Sequence, residues 1–180
     1  TGDVTSVSTR GVSVTAGPDS TGDVSLDLKS VTATGRGVNV INGGTGDTFI
    51  RATGAISGIL GVRVTNEVGS GALFVDVADL YGVDPAFFGN NYGTSDTFIR
   101  TRDVYSQSTG LQTHNDTTAR DIAVITRNVM AGSTGISVAN QGTGNTSITV
   151  EGSMVAGGSG VSAFNDVLAG NISIWTQDVR

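Results

Sequence analysis

The amino-acid sequence predicts a parallel β-helix, an all-β solenoid in which short parallel strands stack coil upon coil. Three observations predict it: a repeat of about two dozen residues, alternating apolar runs within each repeat, and an asparagine at a fixed offset. The composition agrees, because 27 glycines, two prolines and many β-branched residues among 180 favour strands and tight turns. No unit shows the spacing of three and four that a helical solenoid needs.

The repeat is defined by the residue that precedes each β-branched run. Successive anchor residues are separated by 20, 24, 25, 24, 25, 24 and 26 positions. This spacing predicts about seven coils of 24–26 residues in one domain spanning residues 1–180, with a shortened first unit. The anchors are Asp3, Asp23, Asp47, Ala72, Asp96, Asp121, Asn145 and Asn171.

Three short strands are predicted in each coil. The first is an alternating run directly after the anchor, such as VSLDL at 24 or TFIRA at 48, whose period of two indicates one buried face. A shorter second run is centred about eight residues after the anchor, for example on Leu80. The third run contains sequences such as GVNV at 37 and GISV at 135.

An asparagine lies 19 residues after each anchor from Asp23 to Asp121, and 20 residues after Asn145. We expect these asparagines to stack, with their side-chain amides bonding along the column and each bond contributing roughly 0.5–1.5 kcal/mol net. A general preference of Asn for turns explains the residue type but not the fixed offset. The column is predicted to contain Asn42, Asn66, Asn91, Asn115, Asn140 and Asn165.

Two outward-facing rows are predicted on the middle coils. One aligns Phe49, Phe74 and Phe98, and the other alternates in charge through Asp27, Arg51, Asp76 and Arg100. Stacked aromatic rings and opposite charges on adjacent strands stabilise a sheet by roughly 0.2–1 kcal/mol per pair. A run of exposed aromatic residues is also typical of a docking surface. Both interpretations remain open at this stage.

A second outward cluster places Asp79 and Tyr81 at the same offsets as Asp103 and Tyr105 in the next coil. Tyrosine rings beside carboxylates are suited to binding sugars, because the ring offers an apolar platform and the carboxylate accepts hydrogen bonds from hydroxyls. The paired carboxylates would alternatively attract Ca²⁺, or form a solvated polar row. The irregular segment 81–93 lies alongside, so this is the predicted ligand surface, together with the phenylalanine row.

Several classes of function are not favoured. The net charge of -6 provides no basic surface for nucleic acid or anionic membranes, and no apolar run is long enough to span a bilayer. We predict no cofactor, metal site or catalytic residue. Carboxylates such as Asp84 are available for a polysaccharide lyase or glycosidase, but units this short leave little material for cleft walls, and His114 has no nucleophile motif around it.

The repeated pattern resembles the passenger regions of bacterial autotransporters. The sequences GTGDTFIRATG at 44–54 and TGISVANQGTGNTSITVEG at 134–152 carry the resemblance, which covers nearly all of the chain. It implies a right-handed β-helix on, or released from, the outer surface of a Gram-negative bacterium, often as an adhesin.

The expected function is therefore a structural stalk or adhesin-like segment, excised from a longer passenger, whose partner is a glycan or a host or matrix surface. An uncapped terminal coil would expose core and unpaired strand edges, which makes an end-to-end fibre subunit the alternative. A carbohydrate-active enzyme is the more distant alternative.

Overall fold

The chain forms a parallel β-solenoid of about seven coils in the computed structural model, which describes residues 2–6 and 9–180. Every strand pair is parallel, and the described residues contain no helix. The predicted fold class is therefore confirmed. The strands belong to two sheets that run along the stack.

The first, long-strand sheet carries the runs that follow the anchors. Its members are β1 (Asp3–Ser6), β3 (Val24–Leu28), β4 (Ser30–Ala33), β6 (Thr48–Ser57), β8 (Leu73–Gly82), β10 (Thr97–Ser106), β12 (Ile122–Ala131), β14 (Thr146–Ala156) and β16 (Ile172–Val179).

The second, short-strand sheet carries the third run of each coil. Its members are β2 (Arg10–Ala16), β5 (Arg36–Asn42), β7 (Leu60–Asn66), β9 (Phe87–Asn91), β11 (Leu111–Asn115), β13 (Ile136–Asn140) and β15 (Val161–Asn165).

The first two predicted runs of each coil are continuous from β6 onward. They remain separate strands only in β3 and β4, while each later coil joins them in one long strand. Register shifts at the junction, such as the one between Ala52 and Ala55, mark the point where the strand changes direction. The outward side chains therefore lie on two differently oriented halves of the same strand.

Asp3 does not belong to the anchor column, which corrects the sequence-based assignment. Strand β1 pairs with β4 rather than β3, so Asp3 lies beside Ser30. Its carboxylate accepts hydrogen bonds from Lys29 Nζ at 2.8 Å and from the Ser30 hydroxyl at 2.6 Å. The short first interval of 20 residues arises because Asp3 matches the second run, and the true column begins at Asp23.

The anchor column has a structural role of its own. The Asp23 carboxylate accepts the backbone N–H of Asp47 at 2.9 Å, and the Asp47 carboxylate accepts the N–H of Ala72 at 2.7 Å. The same bond recurs from Asp96 to Asn171 in the later coils. Ala72 interrupts the column because its side chain has no acceptor. These bonds explain why the anchor is Asp or Asn in the other coils.

The core consists of side-chain columns running along the stack. Ile50, Val75 and Ile99, at the third position of the first run, pair in register and are fully buried. Phe87 is the largest fully buried side chain. A Cβ atom at Gly89 would lie 2.7 Å from its ring, so the glycine provides the space that the ring fills. This compensation accommodates the irregular AFFG sequence within the stack.

The asparagine column is confirmed, because all six residues pair in strand register from one coil to the next. The expected bonding between neighbouring amides is wrong. Asn42 Nδ2 donates instead to the Gly46 carbonyl at 2.9 Å, and Asn66 Nδ2 donates to the Gly71 carbonyl at 3.1 Å. Each asparagine thus closes the turn that follows it by a side-chain bond to a backbone carbonyl of that turn.

Two turn types alternate along the asparagine column. After Asn42, Asn91 and Asn140, the side-chain oxygen accepts the N–H of a glycine two residues later, at 3.0 Å in each case. After Asn66, Asn115 and Asn165, a backbone bond closes a β-turn, for example from Ser70 N to the Glu67 carbonyl at 3.1 Å. We call these the glycine turn and the β-turn.

At Thr48 and Thr97 a buried threonine links a glycine turn to the β-turn that follows it in the chain. The Thr48 hydroxyl accepts from Asn42 Nδ2 at 3.0 Å and donates to Asn66 Oδ1 at 2.7 Å. Thr97 and Thr146 donate in the same way to Asn115 and Asn165, both at 2.6 Å. The repeat is therefore a pair of coils, and the glycine-turn asparagines 42, 91 and 140 are spaced by 49 residues.

The last coil exposes side chains whose counterparts are buried elsewhere. Ile172 and Ile174 are 42% and 47% exposed, whereas Ile148, which pairs with Ile174 in the preceding strand, is 1% exposed. This surface has the apolar character of the core and an unpaired strand edge. End-to-end association through it stays a prediction.

Candidate functional site

A shallow trough crosses the outer face of the long-strand sheet, where the strands change direction. Three adjoining clefts of about 230, 350 and 480 Å³ form it, and all three are bordered by Asp76. Its lining comes from five consecutive strands, β6 to β14, with Arg51 near one end and Glu151 at the other. At about 4.8 Å per strand spacing, the trough is roughly 20 Å long.

The phenylalanine row forms one wall of the trough. Phe49 and Phe74 stack with their ring centroids 5.2 Å apart and their planes within 4°, and Phe98 follows at 6.4 Å with a tilt of 46°. The predicted alignment is confirmed. Because Phe49 and Phe74 stack on each other, the row stabilises the sheet, and all three rings also line the trough.

The alternating charged row is in register but does not form ion pairs. Arg51, Asp76 and Arg100 occupy paired positions on β6, β8 and β10. No salt bridge joins them to one another or to any other residue in the described ranges. The Arg51 guanidinium instead lies 5.8 Å from the centroid of the Phe49 ring, a cation–π contact. Asp76 and Arg100 line the trough with their charges unpaired.

Asp79 and Asp103 lie in register, as predicted, but two arginines bind them. Arg102 Nε donates to Asp79 at 2.9 Å, and a second nitrogen of the same guanidinium bonds the other carboxylate oxygen. Arg127 binds Asp103 in the same bidentate way, with Nε at 3.2 Å. The aspartate side chains are only 15% and 13% exposed. We call this group the Arg–Asp ladder.

The environment of Asp103 favours its ionised form. Burial alone would raise the pKa of this carboxyl, but the hydrogen bond from Asn128 Nδ2, at 2.7 Å, and the Arg127 guanidinium outweigh it. The pKa of Asp103 is therefore below its ordinary value of 3.8. Asp103 is consequently a structural anion within the ladder.

Tyr81 and Tyr105 form a second aromatic stack at the far end of the same strands. Their ring centroids are 5.0 Å apart, the planes differ by 6°, and the residues are 41% and 36% exposed. Together with Met130 they border a cleft of about 250 Å³. Burial, and then the charge of Asp79, raise the pKa of Tyr81, so its hydroxyl stays protonated and available to donate at neutral pH.

The structure places the predicted ligand residues on the outer side of the long-strand sheet, with the phenylalanines and the tyrosines on its two differently oriented halves and the aspartates already bound. The carboxylate oxygens of Asp79 and Asp103 are therefore largely occupied by the guanidinium groups of Arg102 and Arg127. Arg102 and Arg127 were missed by the sequence reasoning. Their signal is modest: each lies six residues after its anchor, in consecutive coils.

The remaining candidates lie elsewhere. His114 is on the short-strand sheet, where its Nε2 lies 3.2 Å from Gln141 Oε1 and Tyr92 packs edge-on against its ring. Asp84 borders a separate cleft with Arg10 and Arg36. Over residues 2–6 and 9–180, no group of three or more His, Asp or Glu side chains is close enough to hold a metal ion. The same ranges contain no helix of the length and apolarity needed to cross a membrane.

Comparison with protein-family models, with curated proteins and with solved structures finds no match to this chain. The fold is thus established by the pairing of its strands. The resemblance to autotransporter passengers stays a prediction.

Proposed function

We propose that this chain is a rigid, adhesin-like rod of a secreted or cell-surface bacterial protein that binds an extended glycan along its side. The observation that carries the proposal is the trough, which runs along the stack between two partly exposed aromatic stacks on the outer side of the long-strand sheet.

The rod itself supports this proposal through its bonding. Asparagine, threonine and anchor carboxylates connect successive coils on one side, and the aliphatic columns fill the interior. A solenoid held together this way keeps its outer side chains at a fixed spacing. Fixed spacing is what recognition of a periodic polymer requires.

The chemistry of the face favours a sugar over an apolar partner. The trough is bordered by Asp76, Arg100 and Glu151, which offer both acceptors and donors to hydroxyl groups. The aromatic side chains on either side supply apolar surface that also keeps a polar edge in the tyrosines. A flat apolar patch without such groups would favour a protein partner.

An array of immobilised oligosaccharides tests the proposal with the full chain and the double variant Tyr81→Ala/Tyr105→Ala. We expect selective binding that weakens by roughly tenfold in the variant, equivalent to about 1.4 kcal/mol. Tyr92→Ala is the matched control, because Tyr92 lies on the short-strand side against His114. The proposal would be contradicted if the full chain bound no glycan, or if Tyr81→Ala/Tyr105→Ala bound as tightly as the full chain.

A further inference from the structure

We propose that the ligand is an acidic polysaccharide in which a carboxylated sugar alternates with an uncharged one, bound with one sugar ring per coil. This inference rests on the proposed function and specifies the ligand of the same trough. The residues that carry it are Arg51, Asp76 and Arg100, one on each of three consecutive strands.

The spacing of the coils supports one sugar per coil. Successive strands are about 4.8 Å apart, and a sugar ring in an extended, equatorially linked chain has a similar length. The trough runs across the strands, so a glycan in it lies parallel to the stack. Each coil then presents one side chain of the charged row to one sugar.

The order of charges along the row supports alternation. The strands that carry Arg51 and Arg100 directly follow the glycine turns after Asn42 and Asn91, whereas the strand that carries Asp76 follows a β-turn. The two arginines are therefore separated by one full two-coil repeat, which is roughly 10 Å. A chain with a carboxylate on every second sugar would place its anions at the arginines, and a hydroxyl or amide N–H of the intervening sugar at Asp76.

The charges are available because the protein does not neutralise them. Arg102 and Arg127 are held by aspartates, whereas Arg51, Asp76 and Arg100 have no salt bridge among the described residues. Arginine binds carboxylates through two parallel hydrogen bonds, which gives both affinity and orientation. Asp76 repels a second carboxylate at the middle position, so a polymer charged on every sugar is disfavoured.

The test measures dissociation constants of the full chain for three soluble oligosaccharides of equal length. They are hyaluronan fragments, in which a uronate alternates with an N-acetylated sugar, poly-mannuronate, in which every sugar is a uronate, and uncharged cello-oligosaccharide. We expect the hyaluronan fragments to bind most tightly, with affinity that falls as salt is added. Arg51→Gln/Arg100→Gln is expected to weaken that binding by roughly tenfold or more.

Two variants make the result specific to the charged row. Arg63→Gln/Arg120→Gln removes the same net charge away from the trough and is expected to leave binding unchanged. Asp76→Asn is expected to improve poly-mannuronate binding and so to reduce the preference for alternation. Thermal unfolding of each variant confirms that it is folded.

The outcomes separate this inference from the proposed function. Binding of the uncharged oligosaccharide as tightly as hyaluronan, with no effect of the arginine substitutions, would overturn the inference and leave a glycan-binding rod. Preference for poly-mannuronate would overturn alternation. No binding of any of the three, together with a blank array, would overturn the proposed function.

Discussion

Two charged groups lie on the same sheet and differ in how their charges are used. In the Arg–Asp ladder each guanidinium makes bidentate contact with an aspartate of the preceding strand. In the row formed by Arg51, Asp76 and Arg100, opposite charges occupy paired positions without a salt bridge. Strand register alone therefore does not produce an ion pair.

The two groups differ in placement. Arg51 and Arg100 lie directly opposite Asp76 on the adjacent strands, and the Arg51 guanidinium contacts the Phe49 ring instead of the carboxylate. Arg102 and Asp79 are offset by one position and lie where the strand changes direction, which brings the charged ends together. Diagonal placement at the bend gives the ladder a structural role and leaves the straight row to interact with solvent or ligand.

The largest difference in the free energy of unfolding is expected between Asp103→Ala in the Arg–Asp ladder and Asp76→Ala in the charged row. Asp103→Ala leaves Arg127 and Asn128 without their acceptor in a site where the carboxylate is mostly buried. We expect a loss of roughly 1–2 kcal/mol in the free energy of unfolding, measured by urea denaturation. Asp76→Ala should change it by less than about 0.5 kcal/mol. Equal losses of stability for Asp103→Ala and Asp76→Ala would show that the Arg–Asp ladder and the charged row contribute equally to the fold.

A smaller effect is expected from Phe74, the central ring of the phenylalanine row beside the unpaired charges. Phe74→Ala removes ring contacts to both Phe49 and Phe98. We expect it to cost about 1 kcal/mol, again by urea denaturation, whereas Arg100→Gln should be close to neutral. A larger loss for Arg100→Gln than for Phe74→Ala would mean that charge, rather than stacking, stabilises this face.

The smallest effect is the pH dependence that comes from Asp103. Since its folded-state pKa lies below the ordinary 3.8, its ionised form stabilises the fold above that value, and this contribution is lost as the pH falls through the lower folded-state pKa. Denaturation of wild type and Asp103→Asn between neutral and strongly acidic pH measures it. The variant should lose less stability below 3.8. Asp3 is present in both the wild type and Asp103→Asn, so its titration changes the stability of both equally and cancels in the difference between them.

Much of the fold was predictable because a solenoid converts sequence periodicity directly into contacts. The offset of the asparagines predicted their pairing, and the alternation in VSLDL and TFIRA predicted the buried columns. The assignment of Asp3 failed because a single acidic residue before a β-branched run occurs at two places in the coil. Only pairing with Ser30 distinguishes them.

The site was less predictable because its key contacts are diagonal. In-register neighbours, such as Phe49 and Phe74 or Tyr81 and Tyr105, follow from the spacing of the repeat. The bond between Arg102 and Asp79 depends on the bend and on side-chain length, neither of which the spacing encodes. The two-coil period is present in the sequence as threonine at position 48 and leucine at the equivalent position 73. Only the hydrogen bonds of Thr48 to Asn42 and Asn66 show why the residue alternates.

The threonine links restrict how this molecule can change in length. Removing one glycine turn together with the long strand that follows it would bring two β-turns into succession, and Val24 or Leu73 would then take the place of the threonine that donates to Asn66 or Asn115. A buried amide oxygen would then lose its donor, which costs roughly 1–3 kcal/mol. Insertions and deletions in this lineage are therefore expected to preserve parity, adding or removing coils in even numbers, so that the rod lengthens by whole pairs.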